Sequence, residues 1–172
     1  MGYARTRQAE LDVLRGRPRE AIALLQPRLD ASDLTWIYDV VLLRVLAEAY
    51  VDAGDAVKAE EVVDLALTRA GLMHNRVDGV EALRVCAKIR AMQGRREEAS
   101  AALEEALSLA RSIRYPYAEG RILREHGMLH IREVEPEHAR ERLCAALDIF
   151  IRLRAKKDAE QTRRTLQGLG RA

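Results

Sequence analysis

Apolar residues recur along this chain at intervals of three and four, in segments divided by short polar breaks. Such intervals put side chains on one face of an α-helix, which turns once every 3.6 residues. Gly16, Gly54 and Gly94 stand where a helix ends in a left-handed residue, and Val134 takes that place in a later break, just before Pro136. The pattern predicts nine helices. They cover residues 3–15, 18–30, 34–53, 55–70, 76–93, 95–111, 116–132, 136–152 and 158–168.

Small residues repeat within these helices at a nearly constant distance. Ala21, Ala59, Ala99 and Ala139 follow one another at steps of thirty-eight, forty and forty positions. Another small residue lies twelve positions before each of them, and a further alanine lies seven positions after the last three. These additional residues are Ala9, Ala47, Ala87 and Gly127, then Ala66, Ala106 and Ala146. A fixed period of this kind indicates repeated helical hairpins, whose helices pack closely only where the crossing points carry no bulk.

The predicted helices differ in the width of their apolar surface. Apolar residues in 36–53 spread over more than one stripe, which is typical of an inner helix with neighbours on two sides. The helix over 95–111 has a narrower stripe and charge elsewhere, which is typical of an outer helix. The pattern therefore predicts a stack with an inner and an outer layer.

Composition narrows the class of protein further. Hydrophobic residues make up 48% of the chain and aromatic residues only 4%, which favours an all-α fold. The net charge of +2 is too small for a general nucleic-acid binder, and no apolar run reaches the roughly 18 residues of a membrane span. Cys86 and Cys144 both fall on apolar helix faces, so we expect two buried free thiols and a cytoplasmic protein.

With these positions the chain resembles tetratricopeptide repeats. The small residues match the family's three small positions in the last three repeats, and large apolar residues such as Leu43, Leu83 and Leu123 match its large ones. The resemblance implies a single domain over 1–172, a right-handed superhelix of about four antiparallel hairpins with a C-terminal capping helix. Its repeats are predicted over residues 3–30, 34–70, 76–111 and 116–152, and its cap over 158–168.

The repeat is longer than the family's usual length of about 34 residues. The extra residues are predicted to fall between one outer helix and the next inner helix, in longer connections between repeats and in inner helices extended by about a turn. Long repeats with the segments LEEALSLARSIRYPYAEG and LDIFIRLRAKKDAEQTRRTL are similar to the C-terminal arrays of bacterial LuxR-type and related signalling ATPases. That resemblance implies a segment of a larger bacterial regulator that senses an inducer or a partner protein.

A candidate binding surface comes from the inner helices, which line the concave groove of stacked hairpins. One row of this surface carries an arginine at every fortieth position, and a neighbouring row carries mixed residues. These candidate partner-binding residues are Arg44, Arg84, Arg124 and Arg164 in the first row, and Glu48, Lys88 and Met128 in the second. Guanidinium groups pair with carboxylates, so the functional interpretation is a groove for an acidic peptide. The alternative is that these arginines pair within the chain with Glu48, Glu81 and Glu125.

Catalysis and metal binding have little support in the sequence. His126 and His130 lie four residues apart, a spacing that can hold a metal together with Glu133, but their positions favour packing roles. His138 falls on an outer face, and the sequence indicates no neighbouring functional residue for it. The chain has no nucleotide-binding glycine motif and no arrangement typical of nucleophilic catalysis. We therefore predict no enzyme activity, no metal site and no cofactor.

The sequence thus predicts a scaffold or sensor module that binds a protein or peptide, with an acidic partner in the concave groove. Two alternatives stay open at this point. The first is a sensor for a small inducer that controls a linked ATPase or DNA-binding protein. The second is a structural repeat that associates with itself as a weak homodimer.

Overall fold

The computed structural model describes residues 2–31 and 39–170, and these residues form helices joined by short turns. Within this part of the chain the helices are nine, and the structure contains no strand. Their bounds agree with the predicted ones to within two residues, apart from the predicted start of the third helix at 34, which lies outside the described residues. They are α1 (Gly2–Leu14), α2 (Pro18–Asp30), α3 (Asp39–Ala53), α4 (Ala56–Leu72), α5 (Arg76–Met92), α6 (Arg96–Ser112), α7 (Pro116–Arg132), α8 (Pro136–Arg152) and α9 (Lys156–Leu169).

The helices form a continuous stack of hairpins. Each helix packs against the next one along the chain, and α1, α3, α5 and α7 also contact one another in succession. These four are the inner helices, while α2, α4, α6 and α8 form the outer layer. The predicted two-layer arrangement is therefore confirmed in the described part of the chain. No described helix is long and apolar enough to cross a membrane.

The turns from α4 onward have one length and one hydrogen-bond pattern. Each of the helices α4 to α8 has 17 residues and is followed by three residues outside the helices. A backbone N–H after each helix donates to a carbonyl five residues earlier, as Arg95 does to Arg90 and Tyr115 to Ala110, both at 2.9 Å. This pattern closes a helix C-terminus. From α4 onward the prediction of longer connections between repeats is wrong, because the extra residues lie inside outer as well as inner helices. The predicted connection at 31–33 falls largely outside the described residues.

Left-handed residues occupy the corresponding place in the turns from α3 onward. Gly54 and Gly94 have φ of 85° and 76°, and Val134 has φ of 59° in the corresponding turn, as the sequence predicts. The turns between repeats use His74, Arg114 and Arg154, with φ between 52° and 56°. Among the described turns, left-handed glycines are thus found only in turns within hairpins. In the turns between hairpins the left-handed position holds a larger polar residue.

Burial separates the inner and outer helices. In α3 nearly every residue from Asp39 to Val51 is buried, whereas α6 buries a single stripe of six residues. Cys86 is buried as predicted, but the prediction for Cys144 is wrong because its side chain is exposed. Leu143 occupies the core-facing position of α8, and the next residue along a helix points about 100° away from it.

Gly127 lies at the tightest crossing between α7 and α8. A β-carbon placed there would lie 2.7 Å from Cγ of Leu143 and 3.2 Å from the carbonyl oxygen of Ala139. We expect Gly127→Ala to lower the free energy of unfolding by about 1–3 kcal/mol, because the added methyl group overpacks this contact. Urea unfolding measures the change. Gly168→Ala in α9 is the matched control, since its β-carbon has no neighbour within 4 Å and alanine favours the helix. Equal effects of the two substitutions would contradict the prediction.

Candidate functional site

One row of the inner helices carries alternating acidic and basic side chains that pair from one helix to the next. Arg44 on α3 donates to Glu10 on α1 at 2.9 Å, and Arg84 on α5 donates to Glu48 on α3 at 3.1 Å and to Glu125 on α7 at 2.6 Å. We call this set the ion ladder. It consists of Glu10, Arg44, Glu48, Glu81, Arg84, Arg121 and Glu125. The ladder connects four consecutive inner helices, whose residues lie 34 to 41 positions apart in sequence.

Arg84 is the centre of the ion ladder. Its side chain is only 2% exposed and contacts three carboxylates, those of Glu48, Glu81 and Glu125. Burial disfavours the charged guanidinium, but these carboxylates outweigh it and raise the pKa of Arg84. Burial also opposes ionisation of Glu48, yet Arg84 and Arg44 lower the pKa of that carboxyl to about 2. Both groups are therefore held in their charged forms near neutral pH.

The predicted arginine row thus separates into internal and accessible members. The structure shows the intramolecular pairs that the sequence left as an alternative, because Arg84 contacts Glu48, Glu81 and Glu125. Arg44 is buried as well. Neither guanidinium presents a free face to the groove, so a role of these two in partner binding would act through the shape of the groove wall. Glu48 lies between the two arginines as a part of the same wall.

A cavity opens between the inner helices α5 and α7, beside α6 and α9. We call it the α5–α7 cavity, and its volume is about 280 Å³. Its apolar surface comes from alanine, leucine and methionine side chains, and its rim carries three basic side chains and Glu125. The lining residues are Ala87, Lys88, Ala91, Ala99, Leu103, Arg124, Glu125, Met128, Leu129, Arg132, Gln161 and Thr165. An apolar floor with a cationic rim can receive an apolar side chain that is flanked by negative charge.

Three of the predicted site residues meet at the α5–α7 cavity. Lys88 and Arg124 stand at its rim, and Met128 is 38% exposed beside them. Lys88 donates to Asp52 at 2.6 Å, and Arg124 donates to Asp158 at 2.9 Å and lies over the ring of Phe150. These partners orient the two cations. Their side chains stay partly exposed, at 37% and 18%, so both can still contact a ligand.

Arg164 lies apart from the other predicted residues. Its side chain is 75% exposed, pairs with Glu160 on the same helix and does not line the cavity. Arg132, by contrast, was missed by the sequence reasoning although it lines the cavity and is exposed. The described residues place no carboxylate within ion-pair distance of Arg132. It follows Arg124 and Met128 at further four-residue intervals on α7, and that spacing is the signal by which it could have been found.

The histidines of α7 and α8 form a second polar group, on another side of α7 from the pairs of the ion ladder. His126 is buried, as its predicted packing role requires, and its Nε2 lies 3.2 Å from Oγ of Ser100. Burial and the nearby Arg142 lower the pKa of His126 to about 4, against the opposing effect of Glu104. The ring of His130 stacks on that of His126 with the centroids 4.9 Å apart. The expectation that His138 has no neighbouring functional residue is wrong, because its ring lies 5.4 Å from that of His130.

Comparisons with known proteins agree with this architecture. No family model and no curated protein matches the sequence. Among solved structures, BtubC (BKLC) from P. vanneervenii is similar with a TM-score of 0.66 and 21% identity, over 97% of this chain and 65% of that one. A putative kinesin light chain with nearly identical TPR-like repeats, from Podosopora anserina, is similar with a TM-score of 0.68 and 16% identity, over 97% and 90% of the two chains.

These likenesses establish a TPR-like helical-repeat fold, as the resemblance in the sequence implies. The chain spans less than two thirds of the length of BtubC. At sequence identities this low, the structural likeness shows the fold and not the function. The evidence for function therefore comes from the surface of this chain.

Proposed function

We propose that this chain is a protein-interaction scaffold that binds an acidic peptide segment of a partner protein in the α5–α7 cavity. The observation that carries the proposal is the combination of an apolar floor with Lys88, Arg124 and Arg132 at one rim. Arginine rims recognise carboxylates, and partly buried apolar pockets provide the anchor for a neighbouring side chain. The role of the inner helices as the binding surface of stacked hairpins supports the same site.

The dimensions of the cavity favour a peptide side chain over a complete small ligand. Its volume of about 280 Å³ lies just below the roughly 300–1,000 Å³ of most small-ligand pockets. The described lining contains no aromatic ring, which is the usual platform for a sugar. We therefore place the small-inducer sensor second. The self-associating structural repeat comes third, because a cationic rim does not complement a copy of itself.

A peptide-display library of random dodecapeptides tests the proposal through the chemistry of the ligand alone. We expect the selected peptides to combine a leucine or phenylalanine with flanking aspartate or glutamate, and to bind less tightly as salt is added. Lys88→Glu with Arg132→Glu is expected to weaken these peptides at least tenfold, since both rim cations become like charges for the ligand. Fluorescence anisotropy of a labelled peptide measures the affinity.

The matched control is Arg96→Glu with Arg140→Glu, which changes the net charge equally at two exposed positions outside the cavity. This variant should retain the affinity of the parent within a factor of two to three. The proposal fails if both double variants lose affinity alike, or if neither does, because recognition then depends on total charge or on another surface. Sedimentation at several concentrations separates self-association from both outcomes.

The bacterial regulatory setting and the cytoplasmic location belong to the proposal in the same way. The cytoplasmic location rests on the two free cysteines, Cys86 and Cys144. The regulatory setting rests on the resemblance of two sequence segments to arrays of signalling ATPases, and we infer from it that partner binding is coupled to a domain outside this chain. A scaffold without catalytic activity, without a cofactor and without direct contact to nucleic acid or membrane is the simplest form of this function.

A further inference from the structure

Three side chains with metal-ligating atoms meet at the turn between α7 and α8. His130 lies in the last turn of α7, Glu135 precedes α8, and His138 lies in the first turn of α8. We call this set the α7–α8 cluster. Within the described residues it is the one group of three histidine, cysteine or acidic side chains whose ligand atoms all lie within 4.8 Å of one another.

The distances in the α7–α8 cluster are close to those that a tetrahedral ion imposes. Nδ1 of His130 lies 2.8 Å from Oε2 of Glu135, and Nδ1 of His138 lies 3.5 Å from the same oxygen. Ligands bound at roughly 2.0–2.1 Å around a tetrahedral zinc ion are separated by about 3.3–3.4 Å. Small rotations of the exposed Glu135 and His138 side chains would therefore bring all three atoms to one ion.

The donor set selects a class of cation. Two imidazole nitrogens and one carboxylate oxygen suit zinc, nickel and copper, whereas calcium and magnesium prefer oxygen alone. Glu133 adds a further carboxylate close by, with Oε2 3.8 Å from Nδ1 of His130. His138 and Glu135 are 68% and 45% exposed, so an ion can reach the cluster from solvent.

Packing of the repeat does not require these residues. The preceding hairpin, forty residues earlier, carries Arg90, Arg95 and Glu98 at the three corresponding positions. That hairpin forms helices of the same length and closes its turn with the same backbone hydrogen bond. The two histidines are therefore a local departure from the repeat, and both face the same carboxylate oxygen of Glu135.

We propose that the α7–α8 cluster binds a divalent transition-metal ion of the zinc class through His130, Glu135 and His138. The ion would join the last turn of α7 to the first turn of α8. Because such a site does not exist in the unfolded chain, its occupation stabilises the folded hairpin.

The test uses zinc ions alone, with all variants in a Cys144→Ser background so that the exposed thiol cannot bind the metal. We expect isothermal titration calorimetry to show one bound zinc ion per chain and a higher melting temperature with zinc. His138→Ala and Glu135→Gln should each weaken binding at least tenfold. Both positions are exposed, so these variants are expected to fold like the parent.

His74→Asn is the matched control, since it removes an exposed histidine from a turn outside the cluster, and asparagine tolerates the positive φ of 52° found there. It should leave the affinity for zinc unchanged. Cobalt ions give an independent readout, because tetrahedral binding at the cluster produces a visible absorption band that His138→Ala should abolish. Absence of zinc binding by the parent, or equal affinity of the parent and His138→Ala, would overturn the proposal.

Discussion

Replacing Arg84 by methionine is expected to lower the free energy of unfolding by about 3–5 kcal/mol, the cost of removing one partner from a buried ion pair. Methionine retains an unbranched, flexible side chain that can fill the space of the arginine stem, but not the guanidinium group or its charge. Glu48, Glu81 and Glu125 would then face one another without the cation that now lies between them. Their mutual repulsion and their partial burial both act against the folded state.

The predicted arginine row, Arg44, Arg84, Arg124 and Arg164, provides an internal control for this prediction. Arg164 occupies the corresponding position forty residues beyond Arg124, but its side chain is 75% exposed and pairs only with Glu160 in the described part of the chain. Arg164→Met should therefore leave the urea midpoint unchanged, because exposed ion pairs contribute little. Similar midpoints for Arg84→Met and Arg164→Met would show that the ion ladder does not stabilise the stack.

A second substitution distinguishes lost charge pairing from lost packing. Glu125→Gln, introduced into Arg84→Met, removes one of the three carboxylates that the first substitution leaves without its cation. We expect this double variant to recover part of the lost stability, since the repulsion among the carboxylates falls. If the double variant is less stable than Arg84→Met, packing rather than charge explains the loss.

Acidification from pH 6.5 to 4 is expected to remove roughly 3 kcal/mol of stability through His126 alone. Burial is the main reason that the pKa of His126 falls from 6.5 to about 4, and Arg142 and His130 add to it against Glu104. In this range the unfolded chain binds a proton at His126 and the folded chain does not. Stability is therefore full above pH 6.5 and is lost as the pH falls toward the folded-state pKa.

The measurement is the urea midpoint of the parent and of His126→Gln at several pH values between about 7 and 4.5, above the range in which most carboxyl groups titrate. The difference between the two proteins should narrow as the pH falls, because glutamine has no proton to bind. Glu48 is present in both proteins, and its contribution to stability is lost mainly below this window, as the pH falls from its ordinary pKa of 4.5 toward its folded-state pKa of about 2. Parallel pH profiles for the two proteins would contradict a neutral buried His126.

The sequence predicts the helices and their layers well, because both follow from local periodicity. The six buried residues of α6 are the apolar stripe itself, and the left-handed Gly54 and Gly94 lie where glycine was expected to end a helix. The repeat period does not determine which residues a long side chain contacts. Arg84 and Arg124 share a repeat position, yet one contacts three carboxylates and the other stands at a cavity rim.

Two errors in the sequence interpretation, those on Cys144 and His138, have different physical origins. Cys144 is one residue from the core position of Leu143, and that step is enough to expose it. His138 and Glu135 come together with His130 only because the turn between α7 and α8 reverses the chain. Contacts of this kind depend on the packing of two elements, which periodicity within either one does not specify.

The equal turns that follow α4 have a consequence for the history of such a chain. Two helices of equal length and their two short turns give a module of forty positions, and both ends of the module carry the same closing hydrogen bond. A duplication or deletion of one whole module therefore keeps every helix face in register with its new neighbour. An inserted repeat of the ordinary length of about 34 residues would instead have shorter helices, whose ends would not align with those of its neighbours. Arrays of this type would thus gain and lose repeats by copying their own forty-residue module. They would evolve separately from arrays built on the repeat of about 34 residues.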